Sequence, residues 1–193
     1  MKLIFATNNQ HKVQEIKKGI SADIDLVSLK EAGIIIDIPE PFDTLKDNAS
    51  EKSQTIHQLT HQNCFSEDTG LEVNALSGAP GVKSARYSGE HATDTENINK
   101  LLGELAGKSD RTAQFRTVIS LIWQEKEYWF EGTCPGVITE SPSGDQGFGY
   151  DPVFKPDGSD RTFAQMNMEE KSAFSHRQKA TQKLIDFLRQ QHP

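Results

Sequence analysis

At 193 residues, with 35% hydrophobic and 25% charged side chains, the chain has a globular composition and can bury most of its apolar surface as one domain or two closely packed lobes. No apolar run approaches the roughly 20 residues a membrane helix needs, so a bilayer-crossing helix is excluded. The 28 acidic against 21 basic residues leave a formal charge of -7 with the cations scattered, which disfavours bulk nucleic-acid binding; an anion site would have to be local, built from a few cations and a metal.

The N-terminal MKLIFATNN is too short in apolar residues for a signal peptide, so the cytoplasm is the expected compartment. Leu3 to Ala6 reads as a strand, Thr7 to Gln10 as a polar turn, and Val13, Ile16 and Ile20 as the apolar face of a helix. Asn8 or Asn9 can cap that helix, and its free N-H groups would face an anion held in the turn flanked by Thr7 and Lys12. The spacing T-x-x-x-x-K fits either this phosphate turn or an ordinary capped helix start. Ile24 to Leu29 and Ile34 to Ile38 read as strands. Pro39 and Pro41 then fix the backbone around Glu40, which either aims a carboxylate or ends the strand. Leu45, Ala49, Lys52, Ile56 and Leu59 recur at helical spacing. Lys52 stands on the apolar face, where a lysine either snorkels to solvent or meets a phosphate.

Cys64 and Phe65 predict a short buried strand leading into SEDTGLEVNALSGAPGVKSARYSG, residues 66 to 89. Adjacent Glu67 and Asp68 repel unless a proton or cation intervenes, and Gly70, Gly78, Gly81 and Gly89 permit tight turns and close approach to a ligand, so Mg2+ is the simplest reading. Arg86 and Tyr87 in this loop are equally structural or ligand-binding by spacing. Cys64 and Cys134 form no CxxC pair, which indicates neither a disulfide framework nor a cysteine zinc site. Ile98, Leu101, Leu102 and Leu105 predict a helix stopped at Gly107. Phe115 to Trp123 and Tyr128 to Phe130 predict a hairpin around Gln124 to Glu127, with Val137 and Ile138 as a further strand. Helices interleaved with strands, followed by a run of strands, predict an α/β body carrying a mixed sheet.

In PSGDQGFGYDPVF, residues 142 to 154, Phe148 lies between two glycines and suits either stacking on a flat ring or folding back onto the sheet. A C-terminal helix is marked by Ala180, Leu184, Phe187 and Leu188. Lys171, His176 and Arg177 gather at its start, where the helix dipole disfavours cations, and this invites a ligand.

Taken together, TNNQHK (7–12), IPE (38–40), SEDTGLEV (66–73), GAPGVKSARYSG (78–89), GFGYDP (147–152) and EKSAFSHR (170–177) resemble the Ham1-like, or inosine triphosphate pyrophosphatase, family. Its bacterial members are dITP/XTP pyrophosphatases. The resemblance covers nearly the whole chain, 1–193, as one domain. It implies an α/β fold with a central mixed β-sheet flanked by helices, two lobes with an active-site cleft, and usually a homodimer. It also implies Mg2+-dependent hydrolysis of aberrant purine nucleoside triphosphates (ITP, dITP and XTP) to the monophosphate and pyrophosphate, which removes them from the nucleotide pool. By that resemblance Thr7, Asn8, Asn9, Gln10, His11 and Lys12 match the phosphate-binding segment. Glu40 and Asp68 match the metal carboxylates, with Asp68 also the proton acceptor. Thr69, Phe148, Gly149, Tyr150, Asp151, Lys171, His176 and Arg177 match the other substrate contacts, and Lys52, Glu67 and Arg86 are further candidates. Asn8 stands where many relatives have Gly, Glu67 where they often have Asp, and Thr69 where many have Ser.

In that scheme cations and Mg2+ reduce the triphosphate charge and water attacks the α-phosphorus. Asp68 either deprotonates or orients that water or binds the metal, since a metal-bound carboxylate is a poorer base; these alternative roles are shared with Glu67 or Glu40, leaving open whether Glu67 or Asp68 handles the proton. Arg177 and His176 are expected to donate to the 6-oxo group that adenine lacks. A nucleotide sensor without turnover would not need the three acids. A phosphatase releasing orthophosphate is the nearer rival, though no D-x-D aspartyl-phosphate pattern is present.

Overall fold

The computed structural model describes residues 1–20 and 24–191. Leu3, Ile4 and Phe5 are all buried, which suits strand β1 (Lys2–Phe5) to the interior of a sheet covered on both faces. It pairs in parallel with β2 (Asp25–Ser28) and with β3 (Cys64–Val73), and β4 (Pro80–Gly81) adds antiparallel to β3. The order continues from β3 through β5 (Thr112–Trp123), β6 (Lys126–Ile138) and β7 (Phe154–Pro156), so the sheet is mixed, as the sequence predicts.

Helices flank it. Asn9 caps α1 (Gln10–Gly19) and Thr44 caps α2 (Leu45–Thr60); a Thr93–Glu96 capping box starts α3 (Asp94–Glu104). An Asn167–Glu170 box starts α4 (Met168–Phe174), and α5 (His176–Gln191) follows one residue later.

The chain divides into two compact units, one comprising Met1–Asp68, Thr117–Gly132 and Arg177–Pro193, the other Thr69–Arg116 and Thr133–His176. Strands β3, β5 and β6 each contribute residues to both. In the first, Phe5 stacks on Phe65 at 4.5 Å, packed with Ile16, Ile119 and Leu184. In the second, Phe115 meets the ring of Phe154 edge-on at 4.6 Å, with Leu71, Leu101 and Phe163 around them.

Four sequence readings change. Residues 34–38 form no strand: Ile34, Ile36 and Ile38 turn inward against Leu29 and Ile56 while Ile35 is fully exposed, but the segment joins no ladder. The Ile36 carbonyl instead accepts from the Asn8 side-chain amide at 3.0 Å. Val137 and Ile138 are the end of β6, not a new strand. The hairpin turn is two residues, Gln124 and Glu125, both at positive φ as a type I′ turn requires. Finally, Glu67 and Asp68 do not enter a loop. They sit inside β3, and Gly70 serves the sheet, since a Cβ there would lie 2.5 Å from the Gly81 carbonyl oxygen.

Candidate active site

Because side chains alternate along a strand, β3 sends Glu67 and Asp68 to opposite faces. Phe65 and Glu67 face α1 and α5; Cys64, Ser66 and Asp68 face α2, where the Cys64 thiol reaches the Ser53 carbonyl at 3.2 Å and the Ser66 hydroxyl donates to the Ala49 carbonyl. The mutual repulsion expected of adjacent carboxylates is thus relieved by the pleat, and each acid meets its own cations.

On the α2 face Lys52 does not snorkel. It is 8% exposed, and its ammonium lies 2.5 Å from Glu40 Oε1 and 3.2 Å from Asp68 Oδ1. Glu40, held between its two prolines, is therefore an aimed carboxylate and not merely a strand end. Burial pulls the Lys52 pKa down, but the charges of Asp68 and Glu40 outweigh it, and the amine holds its proton more tightly than an ordinary lysine. Asp68 moves the other way from a typical paired carboxylate. Burial raises its pKa and the Glu40 charge adds to this, against the pull of Lys52 and Lys12. Its Oδ2 is buried and has no hydrogen-bond partner among the described residues.

On the opposite face Glu67 is 2% exposed, with Lys12 Nζ 3.0 Å from Oε1 and Arg177 Nε 2.8 Å from Oε2. Burial alone would raise its pKa, yet Arg177 and then Lys12 reverse this and hold it well below the usual carboxylate range. Arg177 is itself 2% exposed and also donates through Nη1 to Glu15. Burial opposes its charge, and Glu67 and Glu15 overcome that, leaving it firmly protonated. The two neighbouring acids are therefore unlike. The surroundings of Glu67 lower its affinity for a proton, and those of Asp68 raise it.

The Thr7–Lys12 turn is largely self-satisfied. Thr7 Oγ1 accepts from the Asn9 N-H at 3.2 Å, and Asn9 Oδ1 accepts from the His11 and Lys12 N-H groups at 3.0 and 3.2 Å. The expected free N-H groups are thus partly taken by the cap, so an anion there would compete with Asn9. Gln10 and His11 are exposed, and Lys12 turns back to Glu67.

The second unit carries the aromatic cluster. Asp151 is buried, accepts from the Phe148 N-H at 3.0 Å and pairs with Lys171 Nζ at 2.7 Å. A Cβ at Gly147 would collide with this carboxylate, so the glycine, at φ +78°, makes room for Asp151. Phe148 is half-buried, with the Lys171 ammonium 5.1 Å from its ring centroid, a cation–π distance. Gly149 donates to Asp94 Oδ2 at 2.6 Å. His176 stacks on Phe115 at 4.7 Å and is buried.

The remaining predicted contact residues have partners within the protein. Tyr150 is a core residue whose hydroxyl donates to the Ser84 carbonyl at 2.8 Å. Lys171 and Arg177, the cations misplaced by the dipole rule, already have partners within the protein, Asp151 for one and Glu15 with Glu67 for the other. Arg177 belongs to the first unit and His176 to the second. Thr69 follows Asp68 on β3, half-buried. Arg86 lies in a short helical turn, Ser84–Arg86, 3.9 Å from Glu90.

The sequence profile of the Ham1 family matches residues 3–187. The chain belongs to the Ham1 family. It is 47% identical to the dITP/XTP pyrophosphatase of Flavobacterium johnsoniae over 97% of this chain and 98% of that protein. It is 48% identical to that of Porphyromonas gingivalis, over 97% of each. The solved Ham1 protein of Staphylococcus aureus superposes with a TM-score of 0.90 at 38% identity, covering 99% of this chain and 100% of that one.

A Ham1-family chain is expected to use a divalent cation, and the residues here fit one. Asp68 offers a buried oxygen without a hydrogen-bond partner among the described residues, and Lys52 holds Glu40 and Asp68 to a common cation. Among the described residues no group of three or more His, Cys, Asp or Glu could hold a metal ion. Two hard carboxylates without a full protein cage suit Mg2+, which keeps waters and takes substrate phosphates as ligands.

Glu15 and Asp94 were missed from the sequence. Glu15 follows Lys12 by three positions, the spacing that puts both on one helix face, and only this periodicity could have pointed to it. Asp94 carries no local signal, since its partner is Gly149, 55 positions away.

Proposed function

We propose that this chain hydrolyses aberrant purine nucleoside triphosphates, dITP, XTP and ITP, to the monophosphate and pyrophosphate. The observation that carries the reading is the unequal pair on β3, one carboxylate locked as an anion by Arg177 and Lys12, its neighbour buried with a raised pKa. A nucleotide sensor would need no such pair.

Asp68 accepts the proton of the attacking water at Oδ2, the buried oxygen without a hydrogen-bond partner. Lys52 keeps Asp68 and Glu40 together without removing that capacity, because the lysine binds Asp68 through the other oxygen, Oδ1. Lys12, aligned by Glu67, reduces the charge of the phosphates at the Thr7–Lys12 turn. When bound, Mg2+ would neutralise charge on the triphosphate; Glu40 would hold it, with Asp68 as a ligand only in the alternative where Oδ2 does not take the proton. Phe148 stacks on the purine ring, and Lys171 with Asp151 fixes its loop. His176 and Arg177 are the donors proposed for the 6-oxo group, and Arg177 also binds Glu67 through Nε and Glu15 through Nη1. Its first role is to position Glu67.

The whole chain is read as one catalytic domain, since β3, β5 and β6 each serve both units. The reading extends to a cytoplasmic homodimer, which sedimentation of the purified protein tests. The activity is tested by incubating the protein with dITP, XTP, ITP, ATP and GTP, with and without Mg2+, and assaying pyrophosphate and orthophosphate separately. Mg2+-dependent pyrophosphate release favouring the first three is expected. Orthophosphate alone would support a phosphatase, and no product from any nucleotide would support a sensor.

A further inference from the structure

Two carboxylates hold peptide N-H groups of the Phe148 loop, the buried Asp151 and the exposed Asp94. On one flank Asp151 accepts from the Phe148 N-H at 3.0 Å and pairs with Lys171 at 2.7 Å, in the space that Gly147 leaves by lacking a Cβ. On the other flank Gly149, at φ +60°, donates its N-H to Asp94 Oδ2 at 2.6 Å. The aromatic ring therefore sits on a single residue between two carboxylate-anchored peptide N-H groups. A charge-assisted bond of this length is stronger than a neutral one.

Asp94 takes no part in the capping box of the helix it begins. Thr93 Oγ1 accepts from the Glu96 N-H at 3.3 Å, and the Glu96 carboxylate accepts from the Thr93 N-H at 2.7 Å, so the capping box of α3 is complete without it. Its carboxylate instead reaches across to a loop 55 residues further along the chain. The loop it reaches carries the one aromatic side chain in GFGYD that is not in the core, since Tyr150 is buried with its hydroxyl bonded to Ser84.

We propose that Asp94 is a positioning residue for nucleotide binding, acting through the Gly149 N-H to set the orientation of Phe148. The proposal rests on the reading of Phe148 as the platform for the purine. Asp94 touches neither phosphate nor reacting atoms in this scheme, so its loss weakens binding without slowing chemistry.

The test is steady-state kinetics with dITP and Mg2+ on the full chain, comparing Asp94→Ala, Asp94→Asn, Phe148→Ala and the double variant Asp94→Ala with Phe148→Ala. Asp94→Ala is expected to raise KM about threefold to tenfold with kcat within about twofold of the parent. Asp94→Asn keeps an acceptor oxygen for Gly149 and is expected to restore most of the KM. In the Phe148→Ala background the Asp94→Ala effect should vanish, because the ring it positions is gone. The thermal midpoint of Asp94→Ala, with the capping box intact, reports any general loss of fold. A KM unchanged by Asp94→Ala but raised by Phe148→Ala overturns the role of Asp94 alone. An Asp94→Ala effect that persists undiminished without Phe148 does the same. A KM unchanged by Phe148→Ala overturns the stacking platform itself, and the role of Asp94 with it.

Discussion

Glu67→Ala isolates the part of the site that is structural. The parent carboxylate is 2% exposed and joins Arg177, also 2% exposed, to Lys12. Its removal leaves the buried Arg177 still paired with Glu15, and takes from Lys12 the anion that aligns it. Deleting one partner of a buried ion pair typically costs about 3–5 kcal/mol, mostly the penalty of the charge left behind. Because Glu15 remains, the expected loss lies at the lower end, about 3 kcal/mol, or about 6–12 °C in thermal midpoint for a chain of this size. The assay is urea denaturation at pH 7 followed by circular dichroism, with an unchanged m-value as the check that only the native state was altered. Glu31→Gln is the control. Its Lys17 partner is 2.6 Å away, but both side chains are about half exposed (40% and 50%), and such a pair contributes less than about 1 kcal/mol. If Glu67→Ala cost no more than Glu31→Gln, the argument that burial makes this network structural would be wrong.

Asp68→Asn should lower kcat by about 100-fold to 10,000-fold at saturating Mg2+, whereas Glu67→Gln, assayed where it is folded, should lower it less than about tenfold; the reverse ranking would move the proton to Glu67. Glu31 also predicts an acid signature. The hydrogen bond from Lys17, then those from Ser28, lower its pKa from 4.5 to about 2. A depressed carboxylate stabilises the fold above its unfolded pKa and loses that contribution as pH falls through its folded one. The stability gap between the parent and Glu31→Gln should therefore be constant above about pH 5.5, narrow as pH falls from the ordinary value of 4.5 towards about 2, and be absent below; a pH-independent gap refutes this. Gly70→Ala should destabilise by about 1–3 kcal/mol, because its methyl would press on the Gly81 backbone, which cannot swing aside. Gly103→Ala, in α3 with nothing within 4 Å of the new methyl, should instead stabilise by about 0.5 kcal/mol, and equal signs in denaturation would count against both.

Much of the fold was legible because its signals are local. Val13 with Ile16, and Leu45 with Ala49 and Ile56, mark the buried faces of α1 and α2 by spacing alone, and the polar residues before them supply caps. The segment at Ile34 to Ile38 misled for the same reason. Its alternation of half-buried and exposed residues is real, but a strand requires a partner ladder, and no local pattern reports whether one exists. Phe148 is half-buried on its glycine support, a placement that leaves both sequence readings of it open, whereas Tyr150, two residues on, was destined for the core by a hydroxyl partner at Ser84.

The sequence by itself determined which chemical groups are present, namely carboxylates at 40, 67 and 68, lysines at 12, 52 and 171, and an aromatic flanked by glycines at 148, in the order that marks the family. Tertiary structure alone decided how those groups divide. The pleat of β3 sends Glu67 to Lys12 and Arg177 and sends Asp68 to Lys52 and Glu40, and burial in those different surroundings drives the two pKa values apart. Composition cannot reveal this, because a carboxylate's affinity for a proton depends on the charges and solvent around it, and those are supplied by residues as distant in the chain as Arg177 is from Glu15.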